Sequence, residues 1–341
     1  MATTESGVGG SQIDDARSAE IVQLTGGGAT QSDFEVPTGV KPPRKSPLGV
    51  FAEMPILVKL SALWLTFIVL GAIYAQLDTR VFNGALPLGD PNLQLNGFNA
   101  QTGEFGTGTA LEGSSWAHPL GTDALARDTF ARAMHGSYVS VTVAVVSVMF
   151  GVIVGGLLGS LAGFVRGKTE TLTMALLDVV LAFPALVLLL ALVSLFEVRD
   201  LFVISVVIGL LSIPAYTRVS RANSLAISNR EFVTAAEAIG TKKWTILRRE
   251  IIPNVFPTLV AYAMVAAAAV IVVEGTLSFL GLSVQLPTAT WGNMINQARR
   301  DIKANFGQIL YPSLILTMTV LALNQVGDFF QRRSAHRGSS L

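Results

Sequence analysis

Few residues in this chain have the type and spacing needed for chemistry, because the sequence is 51% hydrophobic and only 14% charged. The segment Ala162-Gly-Phe-Val-Arg-Gly167-Lys168-Thr169 comes close to a phosphate-binding loop, in which glycine N–H groups and a lysine cradle phosphate. The first glycine of that motif is replaced by Ala162, and a long apolar run stands where the motif requires a buried strand. We therefore interpret the segment as a short basic turn, and the sequence contains no other nucleotide-binding motif.

No catalytic or metal-binding group is predicted from the remaining candidates. The chain has no cysteine, which excludes disulfides, thiolate ligands and a cysteine nucleophile. His118, His135 and His336 are too widely spaced to predict a metal cluster. No nucleophile accompanies His118 and Asp123, and we expect Thr122 or Asp123 to cap the helix that follows.

Two carboxylates lie at the edges of apolar runs, where acidic side chains can serve as proton or cation sites. Asp178 follows the basic turn, and we expect it to pair with Arg166 or Lys168. Glu274 opens the stretch Glu274-Gly-Thr-Leu-Ser-Phe-Leu-Gly-Leu-Ser283, which interrupts an apolar run with flexible and polar residues. Two interpretations of Glu274 stay open, packing at a helix end or lining a pathway through the membrane.

Long apolar runs predict that the chain crosses a membrane six times. The positive mean hydropathy is far from that of a soluble domain of this length. Six runs are close to or longer than the roughly 17 to 25 residues that a spanning helix needs. They cover residues 60–77, 136–165, 179–196, 201–217, 251–273 and 304–327. The fold class predicted is all-α integral membrane, with six transmembrane helices.

The positions of the basic residues predict that both termini are cytoplasmic. With the N terminus inside, most of the 24 lysines and arginines fall on the cytoplasmic side. Residues 1–50 are rich in Gly, Ser, Thr, Asp and Pro and predict a disordered cytoplasmic tail. The first apolar run begins too late for a signal peptide, and residues 334–341 predict a short C-terminal cytoplasmic tail.

Glycine, proline and tryptophan residues predict how the helices pack, where they bend and where they meet the membrane interface. Glycines at four-residue spacing give the second run a surface that another helix can approach closely. They are Gly151, Gly155, Gly159 and Gly163. Pro184 and Pro214 favour kinks in the third and fourth runs, and such kinks either shape the bundle or act as a moving hinge. Trp116 and Trp291 are expected at the outer membrane interface.

The polar stretch 231–254 lies between two apolar runs and predicts a site where another protein docks. Ala235, Ala236 and Ala238 would give a short helix a closely approachable face, and Gly240 can end that helix in a left-handed cap. The basic residues between 242 and 249 predict that this stretch is cytoplasmic.

Four motifs, taken in order, resemble the second, C-type, permease subunit of binding-protein-dependent ABC importers for dipeptides, oligopeptides and nickel. They are His118-Pro-Leu-Gly-Thr-Asp with Arg127-Asp128, Asp178-Val-Val-Leu-Ala-Phe-Pro184, the stretch 231–254, and Leu277-Ser-Phe-Leu-Gly-Leu-Ser-Val-Gln-Leu-Pro-Thr-Ala-Thr-Trp291-Gly-Asn293. In the third motif the family pattern is Glu-Ala-Ala, three residues, Gly. Here Thr234 replaces its glutamate, while Glu250 and Ser283 are further departures.

The resemblance implies a type I importer permease domain over residues 51–333, with a coupling loop over 221–254, in the inner or plasma membrane of a prokaryote. It implies contact with the ATPase through Phe232, Thr234, Ala235, Ala236, Gly240 and Trp244. Candidates for the translocation pathway or its gate are Glu274, Ser278 and Pro184. No catalytic residue and no metal site are implied.

The implied partners are a homologous second permease subunit, two cytoplasmic ATPase subunits or domains, an extracytoplasmic substrate-binding protein and the lipid bilayer, but no nucleic acid. The chain itself would hold no cofactor, because the ATPase partners bind ATP and Mg²⁺ and perform the hydrolysis. Peptides are the expected substrate, with nickel or haem as alternatives. The rival functions are an ion-coupled transporter, which would carry repeats and clustered intramembrane charges, and a membrane-embedded enzyme.

Overall fold

The computed structural model describes residues 54–82, 88–99, 104–106, 108–196 and 199–338. The predicted N-terminal tail, residues 1–50, lies outside them. The elements, in chain order, are α1 (Ile56–Arg80), β1 (Phe98–Asn99), β2 (Glu104–Phe105), α2 (Thr129–Val165), α3 (Gly167–Leu181), α4 (Ala185–Ser194), α5 (Leu201–Ser228), α6 (Glu231–Ala238), α7 (Lys243–Ile246), a π-helical turn (Leu247–Ile251), α8 (Ile252–Phe279), α9 (Trp291–Ala298) and α10 (Gly307–Gly338). The two strands form a short antiparallel pair, and α10 includes the first residues of the predicted C-terminal tail.

Five helical stretches among the described residues are long and apolar enough to cross a membrane. They are Ile56–Arg80, Thr129–Val165, Leu201–Ser228, Lys243–Phe279 and Gly307–Arg333. Each contains most or all of one of the predicted apolar runs. The chain is thus mostly helical, as its hydropathy predicts.

The third apolar run, residues 179–196, does not form the continuous spanning helix that we predicted. It is divided between α3 and α4, which meet at an angle of 84°. Pro184 lies at the N-terminal cap of α4, where its missing N–H costs nothing, and it disfavours helical geometry at Phe183. The proline therefore ends one helix and begins another, where we had expected a kink within one helix.

Helices α3 and α4 together nevertheless return the chain from the end of α2 to the level at which α2 begins, because α2 and α5 run parallel. A Cβ placed on Gly151 would meet Ser212 and Tyr216, whereas one on Gly163 would meet Arg221 and Ser224. The contacts advance in the same direction along both helices, so the connection between them must return to its starting end. Counting α3 and α4 as one broken crossing gives six in total.

The glycine face of α2 packs directly against the backbone of α5, as the four-residue spacing predicts. A Cβ on Gly155 would lie 2.8 Å from the Ile213 carbonyl oxygen, and one on Gly163 would lie 2.5 Å from that of Arg221. At such distances a side chain on either glycine would force the helices apart.

Serine hydroxyls fasten the same interface of α2 and α5. Ser220 donates to the Gly156 carbonyl at 2.7 Å, and Ser224 donates to the Ser160 carbonyl at 2.9 Å. Both serines are fully buried, so each polar group is satisfied inside an otherwise apolar bundle. The two helices are therefore joined by close backbone contact and by hydrogen bonds along this face.

The helical stretch that contains α8 begins at Lys243, before the apolar run 251–273 that predicted it. The stretch Lys243–Phe279 is continuous and 37 residues long, and it includes α7 and the π-helical turn. Pro253 follows this turn and cannot donate to the carbonyl of residue 249, which accounts for a change of hydrogen-bond register there. The segment that we assigned to the cytoplasm thus joins a spanning helix without a loop.

Candidate functional site

Helix α6 is a short amphipathic helix that is closed by the left-handed cap predicted at Gly240. Gly240 has a φ of +80°, and its N–H donates to the Glu237 carbonyl at 2.9 Å. The Thr241 N–H donates to the Ala236 carbonyl at 3.0 Å, which completes a Schellman motif. A Cβ on Gly240 would meet no atom within 4 Å, so the glycine is needed for its backbone conformation and not for space.

Two faces of α6 have different surroundings. Val233 is only 1% exposed and anchors the inner face, and Ala236 is half-buried against the protein's own core. Phe232, Thr234 and Ala235 are exposed. The structure therefore places Ala235 on the free face and turns Ala236 partly inward.

An exposed apolar patch continues past the end of α6. Ile239 is 83% exposed and Trp244 is 67% exposed, beside Phe232 at 40%. We define the coupling surface as these three residues together with Thr234 and Ala235. Sequence reasoning missed Ile239, although an isoleucine directly before a capping glycine in a polar stretch could have indicated it.

Basic residues border the coupling surface. Lys242, Lys243, Arg248 and Arg249 are all exposed. The buried side chains of Ile246 and Ile251 hold this segment against the bundle. The arrangement offers a partner an apolar centre with a positively charged edge, a pattern that gives an interface both affinity and orientation.

Ion pairs near this end of the bundle join α3 to α5. Asp178 accepts from Arg218 at 2.7 Å, so our prediction of a pair with Arg166 or Lys168 is wrong. Ten helical residues, roughly 15 Å, separate Lys168 from Asp178, whereas α5 extends beyond its predicted end and brings Arg218 alongside. Arg166 instead donates to Asn229 at 2.8 Å.

Glu274 is completely buried near the C-terminal end of α8. Its carboxylate accepts from the hydroxyls of Ser140 and Ser283, each at 3.2 Å. Ser278, one turn further along the same helix, shares a short hydrogen bond with Thr290. Both residues contact neighbouring segments of this chain, and their part in a pathway stays a prediction, as does that of the exposed Pro184.

Trp291 begins α9 and does not anchor a membrane interface, so that prediction is wrong. Its side chain is 0% exposed, and its indole N–H donates to the Ala133 carbonyl at 2.9 Å. Thr290 caps α9 through a reciprocal pair of hydrogen bonds with Asn293. The Ser278–Thr290 contact thus fixes the start of α9 to α8.

The cap of α2 also differs from our expectation. Asp128 accepts from the Ala131 N–H at 2.9 Å and from His118 Nδ1 at 2.8 Å, so Asp128 caps this helix in place of Thr122 or Asp123. The polar residues before α2 therefore build a turn.

Comparison with known proteins identifies relatives of the chain. Residues 155–339 match the family described as binding-protein-dependent transport system inner membrane component. The glutathione transport system permease protein GsiD of Pectobacterium atrosepticum is 37% identical over 217 residues, which are 64% of this chain and 72% of that protein. GsiD of Escherichia coli O1:K1 is 37% identical over 216 residues, 63% of this chain and 71% of that protein.

A solved structure shares the fold. A chain of the MetNI methionine ABC transporter in an inward-facing conformation superimposes with a TM-score of 0.50 at 18% identity. The match covers 59% of this chain and 95% of that one. At this identity the likeness concerns the arrangement of helices alone.

Proposed function

Because this chain belongs to the family of binding-protein-dependent transport system inner membrane components, we propose that it is the permease subunit of an ABC importer for small peptides. Family membership makes it a multi-pass inner-membrane permease that has no catalytic role, since ATP is hydrolysed by separate ATPase subunits. It also rules out the ion-coupled transporter and the membrane enzyme that we weighed on sequence alone.

The coupling surface carries the proposal for how this permease is driven. It is exposed, apolar at its centre and basic at its edge, and one of its residues, Trp244, lies in the helical stretch Lys243–Phe279 that continues into α8. We place it in the cytoplasm, with both termini, where one of two ATPase subunits holding ATP and Mg²⁺ would dock. A homologous second permease would complete the pathway, and an extracytoplasmic protein would deliver the substrate.

The geometry supports a specific transmission of movement. We expect α6 to move with the docked ATPase and to carry the α7–α8 stretch with it, because Val233 belongs to the same buried cluster as Ile246 and Ile251. The α2–α5 unit, packed glycine to backbone, resists deformation and provides the fixed partner against which α8 moves. Alternation of these positions would open the pathway to each side of the membrane in turn.

Peptides are the substrate class that the relatives favour. The two relatives are permeases named for glutathione, a tripeptide, and 72% and 71% of their sequences align with this chain. The residues that would contact a substrate are not identified by that likeness. Glutathione, other small peptides, nickel complexes and haem are therefore the compounds that a transport experiment has to separate.

The test is uptake by proteoliposomes that contain the complete importer and its binding protein. We expect ATP-dependent accumulation of a radiolabelled dipeptide or of glutathione, and no accumulation of ⁶³Ni²⁺ or haem. Omission of the ATPase subunits should abolish uptake. Accumulation of nickel or haem without any peptide would overturn the substrate proposal and leave the permease assignment intact.

A further inference from the structure

A mainly apolar hollow opens between the segment that leads into α2 and the segments around α9. Its volume is about 440 Å³. We name it the outer hollow, since our topology places these segments on the extracytoplasmic side. Leu125 is 49% exposed and Leu286 is 62% exposed, so two of its leucines face solvent. The apolar part of its wall comes from Leu111, Ala124, Leu125, Leu286, Met294 and Ala298.

The charged groups in the wall beside α2 are already paired. Arg127 binds Asp123 through Nε at 2.7 Å and through Nη2 at 2.6 Å, and Arg132 Nε lies 3.6 Å from the same carboxylate. Arg127 also donates to Gln297 of α9 at 2.8 Å. These groups hold the two sides of the outer hollow together, so its shape is fixed before a partner arrives and what it offers that partner is apolar contact.

The outer hollow lies outside the hydrocarbon region of the membrane. Among the described residues that line it, only Gln308 belongs to one of the six apolar runs. Helix α2 begins at Thr129, seven positions before the run 136–165, and seven helical residues span roughly 10 Å. The headgroup layer on each side of a bilayer is about 5 to 8 Å thick. The hollow beside the start of α2 is therefore reached from the aqueous space and not by lipid tails.

A fully exposed tryptophan projects from a loop that starts and ends in the wall of the outer hollow. Residues 111–123 form this loop, which is closed at its base where the Leu111 N–H donates to the Asp123 carbonyl at 3.1 Å. Leu111 and Asp123 both line the hollow. Trp116 lies within the loop and makes no use of its large apolar surface, since its side chain is fully exposed. Tryptophan is among the residues most enriched where a protein interface gains its binding energy.

Positive charge borders the outer hollow on the side of α9. Arg300 lines the hollow and is exposed, and Arg299 and Lys303 are exposed close to it in the chain. The segment 299–303 carries these three cations and a single carboxylate, that of Asp301. We call this segment the basic edge. It favours a partner that has acidic groups around its apolar contact.

We propose that an apolar side chain of the extracytoplasmic substrate-binding protein fills the outer hollow, while Trp116 and the basic edge contact the surface around it. A water-soluble protein reaches this depth, and an apolar centre with an exposed tryptophan and a charged rim is the composition of a protein interface. A free dipeptide carries charge at both ends and would lose hydration there for walls whose charges are already paired. The identity of the partner rests on the proposed transport function.

Docking at this place would contact two parts of the permease at once. One wall of the outer hollow precedes α2, and the other belongs to α9 and its flanks. Helix α9 is in turn bonded to α8 through Thr290 and Ser278. The arrival of the binding protein would thus bear on the spanning helix that carries the coupling surface at its other end.

The test is the affinity of the importer, purified and assembled in lipid nanodiscs, for its substrate-binding protein loaded with glycylglycine. Biolayer interferometry measures it with and without a non-hydrolysable ATP analogue. Leu286→Glu should weaken binding at least about tenfold, because it puts a charge into an apolar contact. Leu93→Glu is the matched control, since Leu93 is 58% exposed in the same outer region and does not line the hollow. The control should bind as the unaltered importer does.

Two further variants test the rim of the surface. Trp116→Ala should also weaken binding at least about tenfold. Arg300→Glu should weaken it most at low ionic strength, and the difference from the unaltered importer should shrink as salt is added. Copurification of the second permease and of the ATPase subunits shows that each variant still assembles.

Unchanged affinity in both Leu286→Glu and Trp116→Ala would overturn the proposal, and so would an equal loss in Leu93→Glu or no binding of the protein to the unaltered importer. Binding of free glycylglycine that is lost in Leu286→Glu would assign the hollow to a solute and contradict it as well. ATP-dependent uptake by the unaltered importer is measured in parallel. Normal uptake with unchanged docking in the variants would leave the transport function standing, whereas absent uptake would count against that function itself.

Discussion

Replacing Ala235 with tryptophan tests whether the exposed face of α6 is where the ATPase docks. Ala235 is exposed and its neighbour Ala236 is half-buried against the protein's own core. A bulky side chain at position 235 can extend away from the protein, whereas one at position 236 would press against the protein's own core. The variant Ala235→Trp is consequently the cleaner probe of a partner.

The size of the effect follows from packing. An exposed substitution changes the free energy of unfolding by no more than about 0.5 kcal/mol, so the variant permease should assemble normally. If Ala235 lies in a filled cleft of the ATPase, the added indole costs about 1 to 3 kcal/mol of docking free energy, as overpacking does in a protein core. That range corresponds to an affinity about 5-fold to 150-fold lower.

The assay is copurification of the ATPase with tagged permease from membranes, followed by ATP-dependent uptake in proteoliposomes. Ala110→Trp is the matched control, because Ala110 is also exposed but lies in the segment before α2. We expect the control to retain ATPase and uptake, and Ala235→Trp to lose both while the second permease still copurifies. Full ATPase association and full uptake in Ala235→Trp would refute the coupling assignment.

Substitutions at Gly240, Gly155 and Glu274 test three other contacts. Gly240→Val should lower the free energy of unfolding by about 1 to 2 kcal/mol because a β-branched residue resists a φ of +80°, whereas Gly240→Asn should lower it less. Circular dichroism melting and ATPase copurification measure both variants. Equal results for the two variants would show that the cap is dispensable. Gly155→Leu should lower the melting temperature of the detergent-solubilised complex, since a Cβ at position 155 would lie 2.8 Å from the Ile213 carbonyl oxygen. The control Ile153→Leu, on an exposed part of α2, should leave the melting temperature unchanged. Equal melting temperatures for the two variants would contradict the tight α2–α5 contact. Glu274→Gln should keep assembly and uptake. Glu274→Leu should lower the free energy of unfolding by about 1 to 3 kcal/mol, because the hydroxyls of Ser140 and Ser283 lose their acceptor. Normal assembly with lost uptake in Glu274→Gln would show that Glu274 acts as a gate.

Features that depend on local chemistry were predictable from the sequence. A bilayer requires long apolar helices, so hydropathy locates five continuous spans directly. Glycines at four-residue spacing line up on one helix face, which predicted the close approach of α2 to another helix. The cap at Gly240 follows from the freedom of glycine at positive φ.

Features that depend on distant parts of the chain were not predictable. The bend at Pro184 separates α3 from α4, and the hydropathy of the two segments does not indicate the angle of 84° between them. Trp291 is buried because α9 packs against α2, and no sequence neighbour indicates that contact. Asp178 meets Arg218 only because α5 continues past its apolar run, which charge alone could not reveal.

The face of a short helix is also decided by tertiary packing. Ala235 and Ala236 are adjacent and alike, so composition gives them equal standing as docking residues. Their difference arises from Val233, whose burial fixes the rotation of α6 and turns position 236 towards the core.

The continuous helical stretch Lys243–Phe279 is longer than a membrane crossing requires. Its 37 residues span roughly 55 Å at 1.5 Å per residue, well beyond a hydrocarbon core of about 30 Å. One end carries Trp244 of the coupling surface and the other carries Ser278, bonded to the start of α9. A tilt of this stretch as one body about a point within the bilayer would displace its two ends in opposite directions, so a movement at Trp244 would be accompanied by a movement at Ser278 without a relay of side chains.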